Sequence, residues 1–88
     1  MRIKTQFILQ QVVDEYLLVP IGSEAERLHG VITLNSTGAF LWEKLAGGVS
    51  EKEELVDLLM SDYNIDANTA NADVQSFINE LSSFGCLE

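Results

Sequence analysis

The sequence predicts an α+β protein in which a three-stranded antiparallel sheet is followed by three helices. Two observations carry this. Up to Leu34 the apolar residues alternate with a period of two, and from Asn35 onward they recur every three or four residues. Strands that follow one another through short links usually pair in order, as an antiparallel meander. A chain of 88 residues has room for one hydrophobic core, so a single domain is expected over residues 1–88.

Three strands come first. In "TQFILQQVV", Phe7 and Leu9 share one face and Ile8 takes the other. In "EYLLVP", Tyr16 and Leu18 oppose Leu17 and Val19, and in "HGVITL", Ile32 and Leu34 oppose Val31 and Thr33. Asp14 marks the first reversal, and the polar stretch "IGSEAERLHG" reads as a longer second connection. In this order the third strand is an edge.

Three helices follow. Asn35 has the side chain of an N-cap, and Ala39, Leu41, Trp42 and Leu45 recur at helical spacing until Gly47 and Gly48 stop the run. Ser50 and Glu53 have the spacing of a capping box, and Leu55, Leu58, Leu59 and Tyr63 form the stripe of a second helix. Asp66 or Asn68 caps the third, whose stripe is Val74, Phe77, Ile78, Leu81 and Phe84 and whose end is marked by Gly85. Strands then helices in this order make a winged-helix-like arrangement, with the helices on one face of the sheet.

Winged-helix folds often bind DNA, which makes a DNA-binding regulator one alternative function. Charge argues against it. Five basic residues face fourteen acidic ones, for a net charge of −9, and from Ser50 on the only base is Lys52. Contact with phosphates needs clustered Lys and Arg, so no nucleic-acid partner is expected. No apolar run approaches the ~18 residues that cross a bilayer, and "MRIKTQFILQQVV" lacks the apolar core of a signal peptide. No membrane partner is expected, and the cytoplasm is the default location. The single cysteine, Cys86, has no internal disulfide partner and reads as a small buried hydrophobe.

Catalytic constellations are as thin. His29 is the only histidine and has no second histidine or nearby cysteine with which to build a metal site, so it reads as a partly exposed polar residue. Glu51, Glu53, Glu54 and Asp57 fall on the polar side of the second helix, where early carboxylates complement its dipole. Phosphate-loop, nucleophile-elbow and zinc-helix motifs are all missing. The expectation is a non-enzyme with no catalytic residue, metal or cofactor.

What remains is binding. An edge strand offers a row of unpaired N–H and C=O groups, which soluble proteins usually block with Pro, Lys or a bulge, and "GVITL" has none of these. Either another chain adds a strand there, or the edge is covered by the preceding loop or by a second copy. The last case makes the protein a structural subunit, a homodimer through its third strand.

The residues also carry a resemblance. "V-x-P" ending a second strand, then "ITLNSTGAFLWEKL", a glycine-containing break, "S-x-x-E-L-V-x-x-L-x-x-x-Y-x-I" and "D-V-x-x-F-I-x-x-L-x-x-x-G-x-L" together resemble the PqqD family, named after pyrroloquinoline quinone biosynthesis protein D. The match runs from about Phe7 to Leu87. The resemblance implies a peptide-recognition element for ribosomally made, post-translationally modified peptides. Such a domain captures the leader of a precursor peptide and delivers its core to a modifying enzyme, often of the radical S-adenosylmethionine type. The leader pairs with the third strand and lies in the groove between that strand and the third helix.

Carried onto this chain, the pairing strand is Leu28, His29, Gly30, Val31, Ile32, Thr33 and Leu34, and the facing helix supplies Asp73, Val74, Phe77, Ile78, Glu80 and Leu81. Main-chain groups give affinity, because every leader has a backbone; side chains give selectivity. An apolar stripe is first of all core, so only one or two of Val74, Phe77, Ile78 and Leu81 are expected at the groove. Asp73 and Glu80 lie on one side of the helix and suit a basic leader residue. Family members that serve pyrroloquinoline quinone synthesis itself tend to carry alanine at the position of Gly38 and an acidic residue before the first interhelical glycine. This chain has "LNSTG" and "LAGG" there.

Overall fold

A computed structural model describes residues 1–4, 6–27 and 30–88. The elements in order are β1 (Phe7–Val12), β2 (Glu15–Pro20), α1 (Ser23–Arg27), β3 (Ile32–Leu34), α2 (Ser36–Ala46), α3 (Lys52–Tyr63) and α4 (Ala67–Ser83). The sheet is antiparallel throughout in the order β1-β2-β3, which leaves β3 at one edge. The α+β architecture is the expected one. Thr5, Leu28 and His29 lie outside the described residues, so the placement of the last two as leader-binding residues has no structural counterpart here.

Alternation sets the inner face of the sheet. Phe7, Leu18, Ile32 and Leu34 are buried, whereas Ile8, Val31 and Thr33 are exposed. Against that face pack Leu41, Trp42 and Leu45 of α2, Leu55, Val56 and Leu59 of α3, and Ala70, Val74, Phe77 and Leu81 of α4. The Trp42 ring meets the edge of Phe7 with centroids 6.2 Å apart, and Tyr63, itself exposed, stacks edge-on against Phe40 at 5.4 Å.

Caps follow local chemistry in two of the three expected helices. Asn35 Oδ1 accepts from Gly38 N at 2.7 Å, and Asp66 Oδ1 accepts from Thr69 N at 2.7 Å. The third differs from expectation: α3 starts one residue late, with Glu51 as its N-cap and no side-chain cap bond, so Ser50 and Glu53 form no capping box. Glu53 and Glu54 still complement the helix dipole from the first turn. At the far end of α4, Gly85 has φ +72, and Cys86 N bonds Leu81 O while Gly85 N bonds Ser82 O. This is a Schellman closure, which needs a left-handed residue where glycine stands. Phe84, expected in the apolar stripe, is the C-cap and is 43% exposed.

Two further corrections concern the approach to β3. The stretch expected to be only a loop contains a short helix, α1, so the chain has four helices among the described residues rather than three. Of the strand expected over Leu28–Leu34, ladder pairing among the described residues covers Ile32–Leu34 alone, and Gly30 has φ +108. That backbone conformation lies outside the strand region and suits only glycine.

Candidate functional site

The geometry of the free edge follows from the register. Two residues, Val13 and Asp14, connect β1 to β2, and the closing pair is Val12↔Glu15. A two-residue hairpin closes on a hydrogen-bonded pair, and such pairs then alternate with non-bonded ones. Phe7↔Pro20 must therefore be non-bonded, which suits a residue with no N–H, and the next position is bonded again, as Ile21 N donates to Gln6 O at 2.9 Å. Glu15, Leu17 and Val19 thus direct their backbone groups to β1. Tyr16 and Leu18 direct theirs to β3, where they meet Leu34 and Ile32. It follows that Ile32 and Leu34 turn N–H and C=O inward to the ladder, while Thr33, and Val31 by the same alternation, turn theirs outward. This parity cannot be read from sequence.

Beside this edge lies a cavity of about 330 Å³. Thr33 and Leu34 form its strand side, and Asp73, Ser76, Phe77 and Glu80 of α4 form the opposite wall. Asn35, Thr37, Gly38 and Leu41, from the start of α2, line it as well. Gly38 lets α2 start close against β3: a Cβ there would stand 3.2 Å from Asn35 Oδ1 and 3.4 Å from Leu34 Cβ. A second recess, of about 580 Å³, lies near the C-terminal end of α2 by Trp42, Leu45 and Val49, and none of the expected site residues lines it.

The structure thus brings together Thr33, Leu34, Asp73, Phe77 and Glu80 from the sequence-derived set. It holds others apart. Val74 and Leu81 are fully buried and belong to the core, and Ile32 is buried on the inner face. Ile78 is half-buried against that core and does not line the cavity. The reason is two interleaved stripes on α4. Ala70, Val74, Phe77 and Leu81 face the core, whereas Asp73, Ser76, Phe77 and Glu80, spaced by three and four, face the cavity, with Phe77 shared. Reading the second stripe would have added Ser76. Nothing in the sequence signalled Asn35, Thr37, Gly38 and Leu41, whose place at the site depends on how α2 leaves β3.

The wall is acidic. Asp73 and Glu80 are exposed and take part in none of the salt bridges among the described residues, which join Arg2 to Glu88 and Glu24 to both Lys4 and Arg27. Seven residues of helix separate them, about 10 Å along the axis. The cavity therefore offers a phenyl face, two carboxylates borne two turns apart on α4, and a strand edge alongside. No helix among the described residues is long and apolar enough to cross a membrane.

Residues 15–87 match the sequence profile of the family described as Coenzyme PQQ synthesis protein D (PqqD). Two solved structures share the fold. One is TbiB1 in complex with the TbiA(beta) leader peptide, with a TM-score of 0.77 and 25% identity over 100% of this chain and 95% of that one. The other is a lasso peptide synthetase B1 complexed with the leader peptide, with a TM-score of 0.72 and 20% identity over 98% and 93% of the two chains. No match emerges among curated protein sequences.

Proposed function

This chain belongs to the PqqD family, and on that premise we propose that it binds the leader of a ribosomally made precursor peptide as a fourth strand on β3. Acting as one non-catalytic domain, it presents the rest of the peptide to a modifying enzyme of the radical S-adenosylmethionine type. The observation that carries this reading is the coincidence of an unpaired strand edge with an acidic, aromatic-walled cavity on the same flank. The outward N–H and C=O groups of Val31 and Thr33 bond the leader backbone. Alternate leader side chains then turn toward Phe77 and the two carboxylates, and a Lys or Arg is the residue Asp73 and Glu80 select. That two structural relatives are complexed with leader peptides supports leader binding as the use of this fold.

The test is a fluorescence-anisotropy titration of labelled leaders from precursors encoded alongside this chain, with the TbiA(beta) leader as comparison. Saturable one-to-one binding by a monomer is expected. A stable homodimer with no affinity for any of these leaders would instead make the protein a structural subunit and end the leader-binding reading.

A further inference from the structure

The short helix α1 is tied down at both ends. At its start Ser23 Oγ bonds Gln6 Oε1, and Ile21 N bonds Gln6 O at 2.9 Å. At its end Arg27 makes two kinds of contact. Its Nε donates to Glu24 Oε2 at 2.9 Å, and its Nη2 donates both to that carboxylate and to Gly85 O, the latter at 3.1 Å. Glu24, whose side chain is only 13% exposed, also pairs with Lys4 at 3.7 Å. The guanidinium points its Nη1–Nη2 edge at Gly85, where a Cβ would stand 3.2 Å from both of those nitrogens.

These contacts matter because of what they connect. Arg27 is five residues before Ile32, and β3 is one side of the cavity. Gly85 closes the C-terminal end of α4, which is the other side. Pairing with β2 holds β3 over three residues only, so the ladder alone constrains its approach weakly. We propose that Arg27 is a positioning residue: it ties the segment leading into β3 to the end of α4 and so holds the two sides of the cavity in register, without touching the peptide. The tie rests on the reading of this cavity as a leader site only for its effect on binding. A planar fork serves the purpose because it meets a carboxylate and a carbonyl at once, which a lysine ammonium does less well.

Cys86 provides a built-in reporter. It is fully buried next to the tie, and burial, with help from Glu24, pushes its thiol up to about 11, whereas Lys4 and Arg27 pull it down. Thiol labelling by DTNB at pH 8 therefore needs local opening. Removing Arg27 would by charge alone slow labelling, and removing Glu24 would by charge alone speed it. Acceleration in both Arg27→Gln and Glu24→Gln thus reports exposure rather than electrostatics.

The experiment measures, in the full-length chain, DTNB labelling of Cys86 and amide exchange at Ile32 and Leu34, with Leu55 and Leu59 of α3 as controls for global stability. Both variants should label and exchange about three- to tenfold faster at these sites, the range for losing one ordinary, solvent-accessible hydrogen bond, with α3 unchanged. Arg27→Lys should recover part of the difference. The affinity for the leader that binds the parent should fall by less than exchange rises, since only the opened fraction leaves the competent population. Unchanged rates in both variants would overturn the tie. So would weaker binding at unchanged rates, which would make Arg27 a peptide contact, or acceleration that includes α3. If no leader binds the parent but the local rates still rise, the tie stands and the function proposed for the cavity falls.

Discussion

Proline at Thr33 separates the leader edge from the native ladder. In the free protein the Thr33 N–H points away from β2, and the preceding residue, Ile32, is already extended as a pre-proline residue must be. Thr33→Pro therefore removes a donor that bonds only water until a leader arrives, and proline is tolerated in an edge strand at such a position. At the interface the loss leaves one leader carbonyl unpaired, a cost of about 1 to 3 kcal/mol or about 5- to 150-fold in Kd. Ile32→Pro is the opposite case. By register it deletes the donor to Leu18 O, and Leu18 is fully buried. That costs about 1 to 3 kcal/mol, and lost packing of the buried Ile32 side chain about 1 to 3 more. The sum is comparable with the about 4 to 13 kcal/mol that holds a domain of this size together. Circular dichroism melts should show Thr33→Pro close to parent and Ile32→Pro unfolded or strongly softened. Anisotropy titration should show weakened leader binding in Thr33→Pro but not in Thr33→Ala, which controls for the side chain. A folded Thr33→Pro that binds a cognate leader as tightly as the parent would refute strand addition at this edge.

Asp73→Asn should weaken a leader that carries Lys or Arg by about 0.2 to 1 kcal/mol, mostly through the on-rate, and high salt should erase the difference; a difference that persists in high salt counts against an electrostatic role. Val13, 85% exposed, holds φ +57 in the β1–β2 turn, a conformation costly for a β-branched residue. Val13→Gly should raise stability by about 0.5 to 1 kcal/mol, or Tm by about 2 to 8 °C, in a thermal melt; a lower Tm would contradict the strain argument. Asp66 caps α4, and the bonds from Thr69 hold its carboxyl below the usual 3.8. A lowered folded pKa contributes stability that is present above pH 3.8 and lost as pH falls through the lower folded value. Melts of Asp66→Ala and parent should therefore differ at pH 7 and converge as pH is taken well below 3.8; a gap that stays constant would assign the loss to something other than the charged cap.

The sequence by itself determined most of the residues that are buried together, though not that Tyr63 and Phe84 at the helix ends stay exposed, and which element would be the edge, because these depend on periodicity. Alternation put Phe7, Leu18, Ile32 and Leu34 on one face, helical spacing put Leu41, Leu55, Leu59, Val74 and Leu81 inside, and the order of three strands left the third unpaired. Asn35, and Asp66 as one of two candidates, were legible because a cap bonds its own helix three residues on. Tertiary structure decided what depends on contacts between distant segments. A five-residue helix such as α1 cannot stabilise itself, and it exists through Gln6 at one end and Gly85 at the other. Ser50 and Glu53 had the spacing of a cap, but α3 begins at Lys52, whose Nζ reaches Gln75 Oε1 on α4 at 2.9 Å. Phe77 and not Val74 reaches the cavity because the position of α4 against β3 and α2 selects which of two overlapping stripes is left facing open space. The direction of each N–H along β3 needed the register transmitted from the hairpin through β2. Side-chain alternation tells which face a residue occupies, whereas hydrogen-bond parity lies in the plane of the sheet and is set only once neighbouring strands have paired.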